Sequence, residues 1–460
     1  MIDPALFDIA IIGGGPAGQA AAQQTLAAGL STTMIDEQAR PGGQILRQPP
    51  PAFAVKGWMA GRLYRPLRRL LAQTEADARL KWRGATSVAG IERIGDHFRL
   101  TLSGTHGGTL LARRVLIAAG CYDMPVAMPG WTLPGVMSAG AVQTMLKSQQ
   151  VVAGQPIVLL GSHPLLLVLA TQILDAGGEV AAVLMPQTYG RMVLAALPYL
   201  AGAMFTPGPL MAAGAAMARL RRAGVPLMMG ARPVGFTGDG RLEAVDYAWC
   251  GRTHRIAAQA AAVSYGFLPQ SDLPRQVGAA VRWARPAGGW ETICDGAMRS
   301  SIPGLYVAGE TTGVAGADAA MAEGTIAGIA MAMDAGARAP FDMARAQARR
   351  ARLQPFINLL RAVADPGDVW PLATPETLLC RCEDISVAQV AATIDRLPAM
   401  ADASAVKHRC RIGMGLCQGR SCEHALVRRI AAARGCDPDA VAPFRTRFPA
   451  RPLPFDEIIG

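Results

Sequence analysis

The sequence has no apolar run long enough to cross a membrane. Its longest candidate, residues 157–170, is interrupted by Gly161, His163 and Pro164 and falls short of the roughly 18–20 residues that a membrane-spanning helix needs. The first residues also lack the basic flank and long apolar core of a signal peptide. Because 51% of the 460 residues are apolar, the chain can bury a substantial core, which excludes intrinsic disorder as its main state. We therefore expect a folded cytoplasmic protein without a transmembrane segment.

Clustered basic residues interleaved with aromatic side chains are also missing. The chain carries 45 Lys and Arg against 34 Asp and Glu, a formal net charge of +11, but arginines spread along the whole sequence account for most of the basic residues. Nucleic-acid binding is therefore not expected. The densest basic run is typical of a solvated helix face, or of a surface that meets an acidic partner, and comprises Arg345, Arg349, Arg350 and Arg352.

The cysteines do not indicate a disulfide framework. There are nine, an odd number, in a chain that we expect to be cytoplasmic. Three are scattered, whereas six fall within the last 81 residues: Cys380, Cys382, Cys410, Cys417, Cys422 and Cys436. This distribution predicts a separate C-terminal unit that uses cysteine.

The N-terminal region carries a complete βαβ nucleotide-binding signature. A strand-like run at 7–12 precedes the loop Gly13-Gly14-Gly15-Pro16-Ala17-Gly18, an Ala-rich helical stretch from 19 to about 28, and a second strand at 31–35 that ends in Asp36-Glu37. Gly13 permits the tight turn, Gly15 lets the backbone approach a pyrophosphate, and Gly18 lets the helix pack closely. Asp36, 18 residues after the last of these glycines, would accept hydrogen bonds from the adenosine ribose. The pattern predicts a dinucleotide site at the helix N-terminus.

A second predicted βαβ unit lacks two of the three glycines of a dinucleotide-binding loop. The strand-like residues 156–160 lead into Gly161-Ser162-His163-Pro164-Leu165-Leu166 and a helical stretch to about 175. His163 stands where the second glycine would lie, and Leu166 where the third would. Eighteen residues further on, Leu184 replaces the ribose-binding acid. We expect the fold of this unit to persist without a working NAD(P)H site, with His163 as a packed or surface residue.

Two later segments complete a flavoprotein pattern. Residues 114–120 read as a strand that ends in Ala118-Ala119-Gly120, small residues that allow a cofactor to pass closely. Residues 302–308 read as another strand, followed by Gly309-Glu310, a glycine-rich stretch and an Ala-rich helix. A carboxylate bonded to the flavin ribitol and a helix N-terminus facing the flavin would both be provided here. Glu310 is read as the ribitol ligand in preference to a simple helix-start acid.

The C-terminal cysteines form two close pairs. Cys380 and Cys382 are separated by one residue, and Cys417 and Cys422 by four, with a helical stretch from 386 to about 396 between the pairs. Such pairs can bind structural zinc or a [2Fe–2S] cluster. The tight first spacing, the glycines at 413, 415 and 419, and a flavin on the same chain favour the cluster, while zinc and an empty site remain alternatives. Cys410 and Cys436 are expected to be ordinary thiols.

These motifs together resemble a known family. The segments 13–18, 35–45, 129–136, 265–269 and 309–310 resemble, in order, the FAD-binding alpha subunit of bacterial heteromeric amine and amino-acid dehydrogenases, a group that includes opine oxidase, D-hydroxyproline dehydrogenase and hydrogen cyanide synthase. The chain is also similar to part of the alpha subunit of heterotetrameric sarcosine oxidase. The cysteine-bearing region resembles the bacterioferritin-associated-ferredoxin type of [2Fe–2S] domain.

The resemblance implies cofactors, site residues and partners. The partners would be a catalytic FAD-containing beta subunit, together with a small ferredoxin-like gamma subunit. Membrane association of the whole complex stays open. The cluster ligands would be Cys380, Cys382, Cys417 and Cys422. The residues expected to line the FAD site are Gly13, Gly15, Pro16, Ala17, Gly18, Asp36, Glu37, Gly43, Gln44, Ala119, Gly120, Gly309 and Glu310.

Two departures qualify the resemblance. Glu310 replaces the Asp usual at the ribitol, which adds one methylene to the contact, and His163 weakens the case for nicotinamide use. No Cys-x-x-Cys pair follows Gly43 or occurs in the second unit, which excludes a disulfide reductase of the thioredoxin reductase kind because such enzymes pass flavin electrons directly to sulfur.

We therefore predict an α/β flavoprotein with a pair of dinucleotide-binding domains, like glutathione reductase, and a small, mainly helical C-terminal [2Fe–2S] domain. The expected boundaries are 1–148 with 290–340 for the FAD domain, 149–289 for the degenerate NAD(P)-like domain, 341–375 for a helical linker, 376–440 for the cluster domain, and 441–460 for a tail.

The predicted function is electron transfer. FAD and the cluster would relay electrons from a beta subunit that oxidises the C–N bond of an amino acid, opine or related secondary amine. No catalytic residue is assigned, because the six histidines are scattered and none lies in a flavin-side motif. The alternatives are a stand-alone NAD(P)H-dependent FAD reductase and a partner-holding structural subunit.

Overall fold

The structure is a computed structural model, and it describes residues 6–55, 58–59, 61–204, 207–337, 342–398, 400 and 402–454. The first five residues, which bear on the expected lack of a signal peptide, lie outside this range, as does the end of the tail. Within the described ranges, none of the helices combines the length and apolar character that crossing a bilayer requires.

A seven-stranded sheet, here called the first sheet, organises the N-terminal part. Its strands, in spatial order, are Lys81–Arg83, Thr32–Ile35, Leu6–Ile12, Gly108–Ile117, His97–Gly104 and Thr86–Ile94, with Leu305–Val307 also pairing to Gly108–Ile117. The pairs around Leu6–Ile12 are parallel, whereas those of His97–Gly104 are antiparallel. The central strand is covered on both faces, which is why it reads as a nearly continuous apolar run.

Two helices beside this sheet pack closely against each other. Pro16–Ala27 begins directly after the glycine-rich loop, and Ala317–Asp334 crosses it. A Cβ on Gly324 would lie 2.0 Å from the Ala17 carbonyl oxygen, and one on Gly328 would lie 2.6 Å from that of Ala21. Glycine at both positions therefore sets the distance between the helices. A third helix, Arg65–Ala76, follows the short 3-10 turn Arg62–Tyr64.

The middle of the chain forms a second sheet, five-stranded and parallel. Its spatial order is Leu227–Met229, Val180–Met185, Ile157–Leu160, Ala260–Val263 and Val136–Ser138. An antiparallel sheet of Arg232–Thr237, Ala244–Trp249 and Arg252–Ala257 accompanies it. The helical segments here are Ala139–Thr144, the π-helical turn Met145–Gln149, Leu165–Asp175, Tyr189–Ala196, the 3-10 turn Leu197–Tyr199, Leu200–Ala203 and Pro207–Arg222.

Short ribbons connect this part to the rest. Cys121–Asp123 pairs with Phe267–Pro269, and Val281–Trp283 pairs with Trp290–Thr292. The helix Asp272–Gln276 lies between the two ribbons, and the 3-10 turn Gly309–Thr312 follows the last strand of the first sheet.

The C-terminal part is mainly helical. A long helix, Met343–Val363, leads to a 3-10 turn, Trp370–Leu372, and then to the paired strands Leu378–Cys380 and Ile385–Ser386. The remaining helices are Val387–Asp395, Ala403–Cys410 and Glu423–Arg434, followed by the 3-10 turn Pro438–Ala440. Their core also takes in Trp283 and Trp290 from the second ribbon, so this part packs against the body of the molecule.

The main local predictions are confirmed, with shifted ends. The first helix starts at Pro16 instead of residue 19, because proline is favoured in the first helical turn. The helix expected from 386 runs from Val387 to Asp395, with Ser386 and Gln389 forming a reciprocal capping box. The boundaries proposed for the domains stay predictions. Val136–Ser138, which lies before the boundary expected at residue 148, pairs within the second sheet.

Candidate functional site

A cavity of about 810 Å³ lies where the first and second sheets meet. The structure brings together around it every residue expected to line the FAD site except Gly18: Gly13, Gly15, Pro16, Ala17, Asp36, Glu37, Gly43, Gln44, Ala119, Gly120, Gly309 and Glu310. Gly18 does not line the cavity. It lets the helix pack against the preceding turn, because a Cβ at this position would lie 2.0 Å from the Gly13 carbonyl oxygen. Its role in helix packing is thus separate from the surface that a ligand would touch.

The glycine-rich loop leaves room for a phosphate group. Gly13 has a φ of +108°, a conformation that L side chains rarely adopt. An added Cβ on Gly15 would find no atom nearer than Gly43 Cα at 3.8 Å, so the space beside it belongs to the cavity. The helix that follows has Gly15 as its N-cap, and no side chain caps its first N–H groups. These donors suit an anionic ligand.

An arginine adds positive charge at the same cavity. Arg47 lines it, and the Nε of this side chain has no hydrogen-bond partner among the described residues. Burial lowers the pKa of Arg47, although the nearby carboxylate of Asp36 opposes that shift. A buried donor without a partner is costly, and a pyrophosphate oxygen would satisfy it. The donor set therefore fits the diphosphate of FAD.

Asp36 is held firmly at the end of its strand. Its Oδ2 accepts from the Gly14 N–H at 2.6 Å, and its Oδ1 accepts from the Gln38 N–H at 2.7 Å. Burial raises the pKa of Asp36, while these two backbone hydrogen bonds work in the opposite direction. The carboxylate is thus oriented toward the loop that precedes the helix, as a ribose ligand would need to be.

Glu310, on the 3-10 turn that follows the last strand of the first sheet, also lines the cavity. Its Oε2 accepts a hydrogen bond from the Cys121 thiol at 2.8 Å, and burial raises the pKa of the carboxyl group. The backbone N–H of Gly309 donates a hydrogen bond to the carboxylate of Glu323, which also pairs with Arg350. The longer side chain of Glu, compared with the usual Asp, is accommodated by this contact with Cys121.

Segments next to the second sheet supply a face of the cavity that the sequence did not indicate. Asp123 accepts from the Ser138 hydroxyl at 2.8 Å and from the Gly140 N–H at 3.2 Å. Lys147 donates to the carbonyl oxygens of Gln44 and Ile45, both at 3.2 Å. Burial, with a smaller contribution from the charge of Arg47, lowers the pKa of Lys147 to about 7.

His163 is a packed residue, one of the two placements expected for it, and it also lines the same cavity, which was not expected. Its Nδ1 accepts from the Leu165 N–H at 3.1 Å, its ring meets Phe267 edge-on, and burial lowers its pKa to about 4. It is therefore neutral near pH 7. Its sequence position could have indicated that it lines the cavity, because the second glycine of a dinucleotide-binding loop faces the cleft.

The four predicted cluster ligands come together in the C-terminal part. Cys380 and Cys422 are buried and their thiols hydrogen-bond to each other, and Cys382 and Cys417 form the other pair. The pKa of Cys380 is lowered to about 5 by the Cys422 thiol and by backbone N–H groups that point at its sulfur. The thiol of Cys422, by contrast, has a raised pKa because it hydrogen-bonds to Cys380 and is buried.

The loops that carry these cysteines pack closely against each other. A Cβ on Gly415 would lie 2.4 Å from the Cβ of Cys382, so glycine lets the two loops approach. Cys410, on its helix, bonds to the Val406 carbonyl and stays apart from the pairs. In this arrangement, no group of three or more His, Cys, Asp or Glu among the described residues is spaced to hold a metal ion.

Two further residues line the cavity from the far end of the chain. Ala450 and Arg451 line the cavity together with Asp36 and Glu37, and the Arg451 guanidinium pairs with the Glu37 carboxylate. Sequence reasoning missed them, because nothing in the local pattern around residue 450 indicates a ligand site. Only the path of the chain brings them to the nucleotide loop.

Known proteins share this architecture. Residues 7–324 match the family described as pyridine nucleotide-disulphide oxidoreductase. The A subunit of opine oxidase from Rhizobium meliloti is 32% identical over 98% of this chain and 87% of its own length, and the HcnB subunit of hydrogen cyanide synthase from Pseudomonas aeruginosa is 32% identical over 97% of each. The crystal structure of L-proline dehydrogenase from P. horikoshii superposes with a TM-score of 0.72 at 19% identity, covering 99% of this chain and 80% of that one.

The family match covers more than half of the chain, and whole-length relatives exceed 30% identity. The resemblance inferred from the motifs is thereby confirmed for the flavoprotein part, while the structural likeness shows a shared fold. This chain is an FAD-dependent oxidoreductase and belongs to the pyridine nucleotide-disulphide oxidoreductase family.

Proposed function

We propose that this chain is the FAD- and [2Fe–2S]-containing electron-transfer subunit of a heteromeric enzyme that oxidises the C–N bond of an amino acid, an opine or a related secondary amine. Electrons from a catalytic FAD-containing beta subunit would enter here and leave toward an acceptor, and the further partner would be a small ferredoxin-like subunit. The cytoplasm is the proposed compartment. Among the relatives, one is named as a subunit of opine oxidase and another as a subunit of hydrogen cyanide synthase.

The observation that carries the proposal is the direct packing of the cavity against the cysteine-bearing part. Asp272 lines the cavity and accepts from Arg275 at 2.9 Å. Arg275 in turn pairs with Glu423 at 2.7 Å, and Glu423 follows Cys422 directly. The short helix Asp272–Gln276 therefore connects the wall of the cavity to the segment that carries Cys422, which supports electron transfer between the two proposed cofactor sites.

Different residues would bind different parts of FAD. The loop of Gly13 and Gly15 would hold the FAD diphosphate, Asp36 the adenosine ribose and Glu310 the ribitol. When bound, FAD exchanges electrons singly or in pairs, and a [2Fe–2S] cluster accepts them one at a time. The proposed domain division, with 376–440 as the cluster domain, stays part of this proposal.

Four thiolates in two pairs are the donor set that a [2Fe–2S] cluster takes. Backbone N–H groups of Gly413, Cys382 and Glu383 hydrogen-bond to the Cys380 sulfur, as is common around cluster sulfurs. Because the thiols hydrogen-bond to one another in the structure, binding a cluster would replace these two thiol–thiol hydrogen bonds.

We assign substrate oxidation to the partner subunit, since His163, Asp123 and Lys147, three candidate bases that line the cavity, are each hydrogen-bonded to neighbouring groups. His163 is neutral and its Nδ1 already accepts a backbone hydrogen bond. Asp123 is occupied by Ser138 and Gly140. Lys147 is occupied by two carbonyl oxygens and supports the backbone at Gln44.

The test is to express the tagged full chain in its native cell, isolate it with whatever it binds, and compare the assembly with the chain purified alone. We expect a second flavoprotein in the assembly. Adding members of a panel of amino acids and opines under anaerobic conditions should bleach the flavins of the assembly and produce a one-electron iron–sulfur EPR signal. The isolated chain should not respond to the same compounds.

Other outcomes would reject the proposal in distinct ways. Rapid reduction of the isolated chain by NADH would support the stand-alone reductase. An assembly in which this chain holds neither FAD nor iron would support a structural subunit. Stoichiometric zinc without iron would remove the electron-relay function.

A further inference from the structure

The last described segment of the chain runs from the cysteine loops to the edge of the cavity. We call residues 441–451 the C-terminal strap. Near its start, the Phe444 ring covers two glycines of the cysteine loops: a Cβ on Gly413 would lie 2.5 Å from the ring, and one on Gly419 would lie 2.7 Å from it. The Phe444 N–H donates to Glu423 Oε1 at 2.7 Å, and its carbonyl oxygen accepts from Arg275 at 3.3 Å. This end of the strap is firmly held.

The other end is held by the first sheet. The Ala450 N–H donates to the Ala89 carbonyl oxygen at 2.7 Å, and Ala450 is buried. Between the two ends, the Phe448 ring lies against Gly90, where a Cβ would come within 2.5 Å of it. The strap therefore follows the strand Thr86–Ile94, whose residues Thr86 and Val88 also line the cavity.

Arg451 extends from this anchored end into the wall of the cavity. Its guanidinium pairs with Glu37 and lies 3.5 Å from Gln270 Oε1. The side chain is 24% exposed, whereas Arg447, earlier on the same strap, is exposed to solvent. The position beside Asp36 and Glu37 corresponds to the end of the cavity where the adenosine half of a dinucleotide would lie.

We propose that the C-terminal strap closes the adenosine end of the FAD cavity and that Arg451 is a FAD-binding residue that contacts the adenosine half. This inference rests on the proposed placement of FAD in the cavity. A planar guanidinium can stack on a purine and donate to ribose or phosphate oxygens at the same time, and the pairing with Glu37 holds it in place beforehand.

One consequence is that FAD binding depends on a segment more than 400 residues away from the glycine-rich loop. The βαβ signature would suffice for a site built from the N-terminal part alone. The strap instead links FAD affinity to the part of the chain that carries the cysteines. Because such coupling is reciprocal, bound FAD should also stabilise the packing of the strap.

The experiment compares Arg451→Ala with Arg447→Ala, a matched arginine on the same strap, in the full-length chain. FAD is removed, and its rebinding is followed by the quenching of flavin fluorescence. AMP serves as a competitor that carries only the adenosine half. For Arg451→Ala we expect FAD to bind about tenfold more weakly, which corresponds to the loss of one interaction with a charged group, and AMP to compete less well by a similar factor. Arg447→Ala should match the wild type.

Arg451→Lys and Phe448→Ala extend the test. The lysine keeps the charge without the planar group, so it should also weaken FAD binding, and it decides the question if the alanine variant fails to fold. Phe448→Ala should weaken FAD binding without touching the cavity. Binding by Arg451→Ala and Arg451→Lys within twofold of the wild type would overturn the inference. Retention of FAD by Gly15→Leu would instead overturn the placement of FAD on which it rests.

Discussion

Arg275 and Glu423 form a buried ion pair between the cavity and the cysteine-bearing part. Nη1 of Arg275 lies 2.7 Å from Oε1 of Glu423, and both side chains are 9% exposed. Arg275 belongs to the short helix whose first residue, Asp272, lines the cavity, whereas Glu423 begins the helix that follows Cys422. The pair therefore joins two parts of the molecule that lie 148 residues apart in sequence.

Removing one partner of this pair should destabilise the chain. Glu423→Gln leaves the Arg275 charge buried with only Asp272 as a carboxylate partner, so we expect a loss of about 3 kcal/mol in the free energy of unfolding. The control is Glu92→Gln, which breaks an exposed pair with Arg99 and should cost no more than about 1 kcal/mol. Urea unfolding measures both, and equal losses in the two variants would contradict the prediction.

Two glycines of the nucleotide loop should respond differently to substitution. Gly15→Leu places its side chain in the cavity, so the protein should fold but purify without FAD. Gly18→Ala puts a Cβ where the Gly13 carbonyl oxygen lies, 2.0 Å away, and should destabilise the fold itself. Flavin absorbance and circular dichroism separate the two effects. A stable Gly18→Ala variant, or a yellow Gly15→Leu protein, would argue against this division of roles.

The four paired cysteines should bind iron. Replacing any of Cys380, Cys382, Cys417 and Cys422 by Ser should abolish iron and sulfide binding, since a [2Fe–2S] cluster needs all four thiolates. Cys410→Ser and Cys436→Ser are the matched controls and should keep about two irons per chain, the content of one such cluster. Chemical iron and sulfide analysis, together with EPR of the dithionite-reduced protein, provides the measurement. Iron loss in the control variants would point to a different ligand set.

NADH should reduce the bound flavin slowly or not at all. His163 occupies the position of the second glycine, and Leu166, fully buried, that of the third. Stopped-flow mixing with micromolar NADH should show bleaching far slower than about 10 per second, the rate of an ordinary turnover. Dithionite, which needs no binding site, should reduce the same sample completely. Bleaching by NADH at catalytic speed would favour the reductase alternative.

Lys147 should make stability depend on pH. Burial lowers its pKa to about 7 in the folded chain from the ordinary 10.5, so between these values the unfolded chain binds a proton that the folded chain does not. Stability therefore rises with pH in this window, by up to about 1.4 kcal/mol per pH unit, and the full cost of burying the charge is present below pH 7.

The comparison is with Lys147→Met, which lacks the titrating group. The measurement is made on FAD-free protein between pH 7.5 and 9.5, inside the window from about 7 to 10.5. As the pH is raised, the free energy of unfolding of the wild type should increase relative to that of the variant. Urea unfolding at three pH values measures the difference. A difference that stays constant with pH would show that Lys147 keeps its proton when folded.

The sequence by itself determined the elements whose signals are local. The glycine spacing, Pro16 and Asp36 lie within one βαβ unit, so the strand, turn and helix could be derived from neighbouring residues, and the capping box at Ser386 likewise marks its helix. The two cysteine pairs were visible for the same reason. The residues of the βαβ unit and of the capping box interact with neighbours in sequence, whereas the thiol hydrogen bonds join Cys380 to Cys422 and Cys382 to Cys417, across the two sequence pairs.

Only the tertiary structure decided which distant residues complete the cavity. The sequence showed that His163 interrupts the second glycine motif, but its place in the wall of the cavity depends on how the two sheets meet. Arg451 and the pair of Arg275 with Glu423 carry no local signal at all. Their contacts join segments that are independent in sequence, and the packing of whole domains, driven by buried apolar surface, selects which polar groups come within reach of one another.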